Sequence, residues 1–87
     1  LGFELKQNYP NPFNPSTTMS FVIGHPSFAS LRVFDILGRE IATLVNEELG
    51  AGNYNVTFDA RNLPGGTYFY TLKSGEFAQT KKLLILK

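Results

Sequence analysis

Cysteine is absent from this chain of 87 residues, so neither a disulfide framework nor a thiolate metal site can be built from it. Histidine occurs once, at His25 beside Pro26. A lone imidazole lacks the partners that metal or proton chemistry needs, and a loop position accounts for it. No apolar run approaches the roughly 20 residues a helix needs to cross a bilayer, so no membrane insertion is expected. The glycines do not fall into G-x-G-x-x-G or P-loop spacing, and no phosphate cradle is expected. Charge is sparse and balanced, with 17% charged residues and a net charge of +1, which gives none of the basic footprint of a nucleic-acid binder. The first residue is Leu1, without Met and without a signal peptide. It reads as a piece cut from a longer polypeptide.

Aromatics are plentiful, with eight Phe and four Tyr in a chain that is 43% hydrophobic. That composition is globular rather than disordered. The length suits one small domain, burying roughly 60% of the surface its unfolded chain exposes. A deep catalytic cleft would be hard to build within it. Thr, Phe, Tyr, Val and Ile favour a pleated, half-buried surface over helix.

Residues 1–16 form an Asn/Pro-rich lead-in, Asn8-Tyr9-Pro10-Asn11-Pro12-Phe13-Asn14-Pro15-Ser16. Its prolines fix φ and push their predecessors towards extended backbone. Asn11 and Asn14 suit local Asx-turns, and Tyr9 and Phe13 suit anchors. Residues 17–87 then alternate strands and turns. Met19, Phe21 and Ile23 share one face of a strand over 17–23. Gly24–Ser27 breaks it. A second strand is expected over 30–36 with Leu31 and Val33 inward, a hairpin turn over 35–39 with Gly38 at positive φ, and a third strand over 39–46. Ile41, Leu44 and Val45 also have helical spacing over 39–49, the one place where a helix competes. A polar turn over 47–53 follows. Tyr54, Val56 and Phe58 alternate on a fourth strand, and Tyr68, Tyr70 and Leu72 on a fifth, with Leu63-Pro64-Gly65-Gly66 as the turn between them. Residues 77–86 form a sixth strand, whose run Leu83-Leu84-Ile85-Leu86 suits a strand covered on both faces. A seventh is added if 1–7 pairs. The expectation is an all-β, antiparallel sandwich.

Several segments in order carry a resemblance. The lead-in 8–18, Val33-Phe34-Asp35-Ile36-Leu37-Gly38-Arg39-Glu40-Ile41, the Ala51-Gly52 turn, Leu63-Pro64-Gly65-Gly66-Thr67-Tyr68-Phe69-Tyr70 and the closing Thr80–Lys87 together resemble the type A C-terminal sorting domain of the type IX secretion system. Gly65 stands where that family more often has Ser, and Phe34 where Tyr is usual. The resemblance implies an immunoglobulin-like sandwich of about seven strands, whose central pattern is shared with flagellar-hook-capping domains. It implies no enzyme activity and no cofactor. It also implies a covalently linked N-terminal cargo, passage through the periplasm, recognition by an outer-membrane translocon and removal by a sortase. The cargo would end secreted or on the cell surface.

The expected recognition segment is Lys81, Lys82, Leu83, Leu84, Ile85, Leu86 and Lys87, read by strand addition to a sheet edge. A purely structural account has the apolar residues filling the core and the lysines blunting an exposed edge. Asn11, Pro12, Asn14 and Pro15 read as a rigid lead-in that seals one end of the sandwich, rather than as a docking surface. Gly38, Gly52 and Gly66 read as turn residues. Asp35 and Asp59 suit turn caps, and Glu47-Glu48 a solvated pair. Phe69 faces away from Tyr68 and Tyr70. An exposed aromatic row would make the chain a carbohydrate-binding accessory module, and a plain immunoglobulin-like spacer is the third reading.

Overall fold

The computed structural model describes residues 2–87; Leu1 of the expected pairing segment lies outside them. The strands are β1 (Glu4–Leu5), β2 (Ser16–Ile23), β3 (Ser27–Phe34), β4 (Glu40–Leu49), β5 (Gly52–Asp59), β6 (Gly66–Ser74) and β7 (Phe77–Ile85). One sheet has the order β1-β2-β5 and the other β4-β3-β6-β7, and every neighbouring pair is antiparallel. This is the expected seven-stranded sandwich.

Alternation builds the core. Met19, Phe21 and Ile23 of one sheet meet Leu31, Val33, Tyr70, Leu72 and Leu83 of the other, all fully buried. Each large apolar side chain so removed from water contributes about 1.5–3 kcal/mol. The Tyr68 hydroxyl donates to the Pro64 carbonyl at 2.7 Å, which pins the start of β6 to the preceding loop. Such a corner at this strand is a hallmark of immunoglobulin-like sandwiches. Here β4 lies beside β3, whereas in the constant-type arrangement the fourth strand joins the other sheet.

Several expectations are corrected. β3 begins at Ser27 and ends at Phe34, because pairing with both β4 and β6 extends it upstream. No helix forms over 39–49. β4 runs on through Glu47 and Glu48 to Leu49, since an edge strand with solvent on one side tolerates charge in the outward positions. β7 is the outer strand of its sheet, and its apolar run alternates. Leu83 and Ile85 are buried, while Leu84 and Leu86 are 37% and 52% exposed. The run is therefore not covered on both faces.

The lead-in departs most from expectation. It continues from β1 along β2: the Lys6 amide donates to Ser20, and Tyr9 and Thr18 exchange both backbone bonds. It then crosses to the other sheet, where the Phe13 amide donates to the Leu84 carbonyl at 3.1 Å and the Leu86 amide donates to Phe13 at 2.8 Å. The segment closes the long seam between the sheets and reaches one end of the sandwich at Phe13 and Pro15. Phe13 is buried, but Tyr9 is 81% exposed and anchors nothing. Asn8 is buried in its place, donating through Nδ2 to Thr17 Oγ1 at 3.0 Å and to Pro10 O at 3.2 Å. Asn11 makes no local Asx-turn with its Oδ1; that oxygen accepts the Leu84 amide at 2.9 Å. The peptide bonds before Pro10, Pro12 and Pro15 are cis.

Candidate recognition surface

β7 places the residues singled out for recognition into two sets. Pairing with β6 sets Lys81 opposite Tyr70, Lys82 opposite Phe69, Leu83 opposite Tyr68, Leu84 opposite Thr67 and Ile85 opposite Gly66. Leu83 and Ile85 belong to the core. Lys82, Leu84, Leu86 and Lys87 are exposed, and Lys81 is half-buried on the inward side. Because side chains alternate along a strand, one strand can hold the core and still present a surface.

Two other segments lie at the end of the sandwich where β7 finishes. The Asp35–Arg39 turn and the Leu63–Thr67 loop flank an open groove of about 600 Å³ with Tyr68 and Ile41 in its lining. Ile36 and Leu37 project from the turn, 69% and 74% exposed. The turn that carries them is rigid. Asp35 Oδ1 accepts the Leu37 amide at 2.9 Å and the Arg39 amide at 3.0 Å. Its Oδ2 receives Arg39 Nε at 2.7 Å. The Arg39 amide is the chief cause holding the Asp35 carboxyl below its ordinary range, with the Arg39 guanidinium and the Leu37 amide adding to it. Gly38 takes φ +82, which a side chain would strain.

Lys87 packs across Gly65. A Cβ at Gly65 would stand 3.0 Å from the Lys87 side chain, and Lys87 Nζ donates to the Arg61 carbonyl at 2.9 Å. The Ala60 amide donates to Pro15 O at 2.8 Å, so the lead-in joins the same end. Asn14, Pro12 and Pro15 are exposed there. Asp59 accepts the Arg61 amide at 3.0 Å, as a turn cap should. Gly52 and Gly66 open β5 and β6 with φ of +152 and +135.

The buried pair Asn8 and Tyr70 is the part that the sequence reading missed. The Asn8 amide donates to the Tyr70 hydroxyl at 2.7 Å, and that hydroxyl donates to the Lys6 carbonyl at 2.7 Å. Burial pushes the Tyr70 phenol up to about 12, against the opposing pull of the Asn8 amide. In antibody domains a cysteine of the inter-sheet disulfide lies two residues beyond the corner tyrosine. Tyr70 holds that place here and ties the sheets by hydrogen bonds. The spacing Tyr68-x-Tyr70 behind a Pro-Gly turn is the signal that could have found it.

Little else on the surface supports chemistry. Among the described residues no cluster of three or more His, Cys, Asp and Glu could hold a metal ion. His25 lies exposed between β2 and β3, with its ring edge-to-face against Phe3 at 5.1 Å. On the outer face of the larger sheet Phe69 lies opposite Phe34. Both are half-buried, beside Arg32, Thr71 and Lys82, and they form no planar row of exposed rings.

No curated protein matches the chain, and no solved structure does. Residues 7–86 match the family model of the secretion system C-terminal sorting domain. That span takes in the lead-in, the braced turn, the corner loop and β7. The chain therefore belongs to the C-terminal sorting domains of the type IX secretion system.

Proposed function

We propose that the outer-membrane translocon reads this sorting domain chiefly through the outward half of its closing strand, Lys82, Leu84 and Leu86, together with Lys87. The observation that carries the reading is the position of β7. It is the outer strand of its sheet, held by Leu83 and Ile85 while its alternate residues remain in solvent. Leu83 and Ile85 act by holding that strand in place.

The two ends of the sandwich support a division of labour. Phe3 stacks on Phe77 at 5.6 Å, at the end that holds the β2–β3 and β6–β7 turns. Leu86 and Lys87 lie at the other end, along a molecule 38 Å in its longest dimension. A cargo joined on the N-terminal side would trail from the first end and leave the second free. That cargo would arrive through the periplasm, cross the outer membrane with this domain as its address, and be released or anchored once a sortase cuts between the two.

The test fuses residues 1–87 behind a reporter carrying a signal peptide, in a type IX-competent host and in one lacking the translocon. The expected result is reporter in the medium or on the surface of the first host only. The triple variant Lys82→Glu, Leu84→Asp, Leu86→Asp leaves the core residues untouched and is expected to hold the reporter in the periplasm. Retention of the unaltered fusion would overturn the sorting reading. Export of the triple variant at the unaltered level would overturn the role of β7.

A further inference from the structure

The outer edge of β7 is occupied along only part of its length. In an antiparallel pair, residues opposite one another alternate between exchanging both backbone bonds and turning both groups away. Leu84 turns away from β6, because its amide goes to Asn11 and its carbonyl accepts from Phe13. The same two-residue period turns the backbone groups of Ala78, Thr80 and Lys82 outward. The Lys82 carbonyl accepts Gln7 Nε2 at 2.7 Å. The amides of Ala78, Thr80 and Lys82 and the carbonyls of Ala78 and Thr80 have no hydrogen-bond partner among the described residues. The side chains of these three residues are exposed. The lead-in thus seals the strand from Lys82 to Leu86. Beside Ala78 to Lys82 the chain comes close only through the Leu5 amide, which donates to Gln79 Oε1 at 3.3 Å, so a strand entering this window takes the place of that one side-chain contact.

The charge around the window has one sign in excess. Every lysine of the chain, Lys6, Lys73, Lys81, Lys82 and Lys87, lies in the lead-in, on β6, on β7 or just after it. The ion pairs among the described residues use Arg32, Arg39 and Arg61, and none uses a lysine. Glu4 on β1 and Glu76 in the β6–β7 turn are the acids on this side. Glu40, Glu47 and Glu48 lie on β4, at the far edge of the same sheet.

We propose that the window Ala78–Lys82 accepts an acidic, extended segment of a partner protein as a fifth strand of the larger sheet. The backbone groups of Ala78, Thr80 and Lys82 supply the ladder, and Lys81, Lys82 and Lys73 select for Asp and Glu. Strand addition takes its affinity from the main chain and its specificity from alternate side chains. The lysines serve a second purpose that does not conflict with the first. They repel the β7 edge of another copy, as edge lysines do, while attracting an acidic strand. The identity of the partner as part of the export machinery rests on the sorting function above; the chemistry of the window does not.

The test titrates the 1–87 chain with two fluorescent peptides of one extended design, one with Glu and one with Lys at alternate positions, at low salt. The Glu peptide is expected to bind at least about tenfold more tightly, and to slow hydrogen exchange at the Ala78, Thr80 and Lys82 amides. Thr80→Pro removes an outward donor and the hydroxyl bond to Thr71 at 2.7 Å but no backbone bond of the β6–β7 ladder. It is expected to abolish binding with a fall in melting temperature no larger than that of Thr80→Val, which loses the same hydroxyl and keeps the outward amide. Should that variant unfold, Lys81→Glu with Lys82→Glu serves instead and is expected to reverse the preference between the peptides. Equal binding of both peptides, or binding that survives Thr80→Pro or the paired lysine substitutions, would overturn the proposal. So would self-association of the unaltered chain that seats β7 on the β4 of a second copy. The reporter fusion separates the two readings. Export of the unaltered fusion and of its Thr80→Pro form alike removes the window from sorting and leaves sorting intact.

Discussion

Tyr70 shows how much one side chain can hold. Its hydroxyl accepts the Asn8 amide and donates to the Lys6 carbonyl, so it joins the lead-in to the opposite sheet. Tyr70→Phe leaves a buried donor and acceptor without partners, at a cost of about 1–3 kcal/mol. For a domain of this size, denaturation should show this as a fall of roughly 4–8 °C per kcal/mol. The phenol also predicts alkaline behaviour. Its value in the folded chain is about 12, above the roughly 10 of an unfolded tyrosine. Above pH 10 the unfolded state sheds the proton that the folded state keeps, so stability falls as pH rises towards 12. Denaturant titrations across that interval should show the fall, and Tyr70→Phe should flatten it. The strand period pointed Tyr70 inward, but its partners were not legible in the sequence. Hydrophobicity assigns tyrosines inward and asparagines outward, yet Tyr9 is exposed and Asn8 buried. A buried carboxamide is stable only where distant partners meet it, and Thr17 and Tyr70 are brought to Asn8 by the fold.

Strand identity was far more legible than strand environment. The two-residue period of Met19, Phe21 and Ile23, and of Tyr68, Tyr70 and Leu72, survives in the structure because burying one face fixes the register. The run at Leu83–Leu86 misled, because composition alone cannot tell a strand inside a sheet from one at its border. Neighbouring leucines there should respond very differently. Leu83→Ala removes a fully buried side chain and is expected to cost about 2–5 kcal/mol. Leu84→Ala should cost within about 0.5 kcal/mol by equilibrium unfolding, in keeping with an exposed position. The bond between Asn11 and Leu84 was equally hidden, since an asparagine beside prolines reads as a local turn. Gly65 has a plain reason: it admits the Lys87 side chain, against which a Cβ would stand at 3.0 Å.

Over the whole molecule, the fold class and the order of the motifs were legible, but their meeting place was not. The braced turn, the corner loop and the end of β7 are distant in sequence and share one end of the sandwich. Residues 2 and 3 lie at the other. This polarity predicts that the side of attachment matters. A reporter joined after Lys87 should lose export relative to one joined before Leu1, with the melting temperature of the domain unchanged. Fractionation of the two fusions in one host measures it.

The lead-in straddles both sheets, and that gives the chain a mechanical property. A pull applied at Gly2 loads β1 against β2 first, then the bonds of Gln7, Asn11 and Phe13 to β7. The tether that drags a passenger is thus the same ribbon that covers the last strand. Tension on it would peel that ribbon away from residues 82–86 and lengthen the docking edge just when a load is attached.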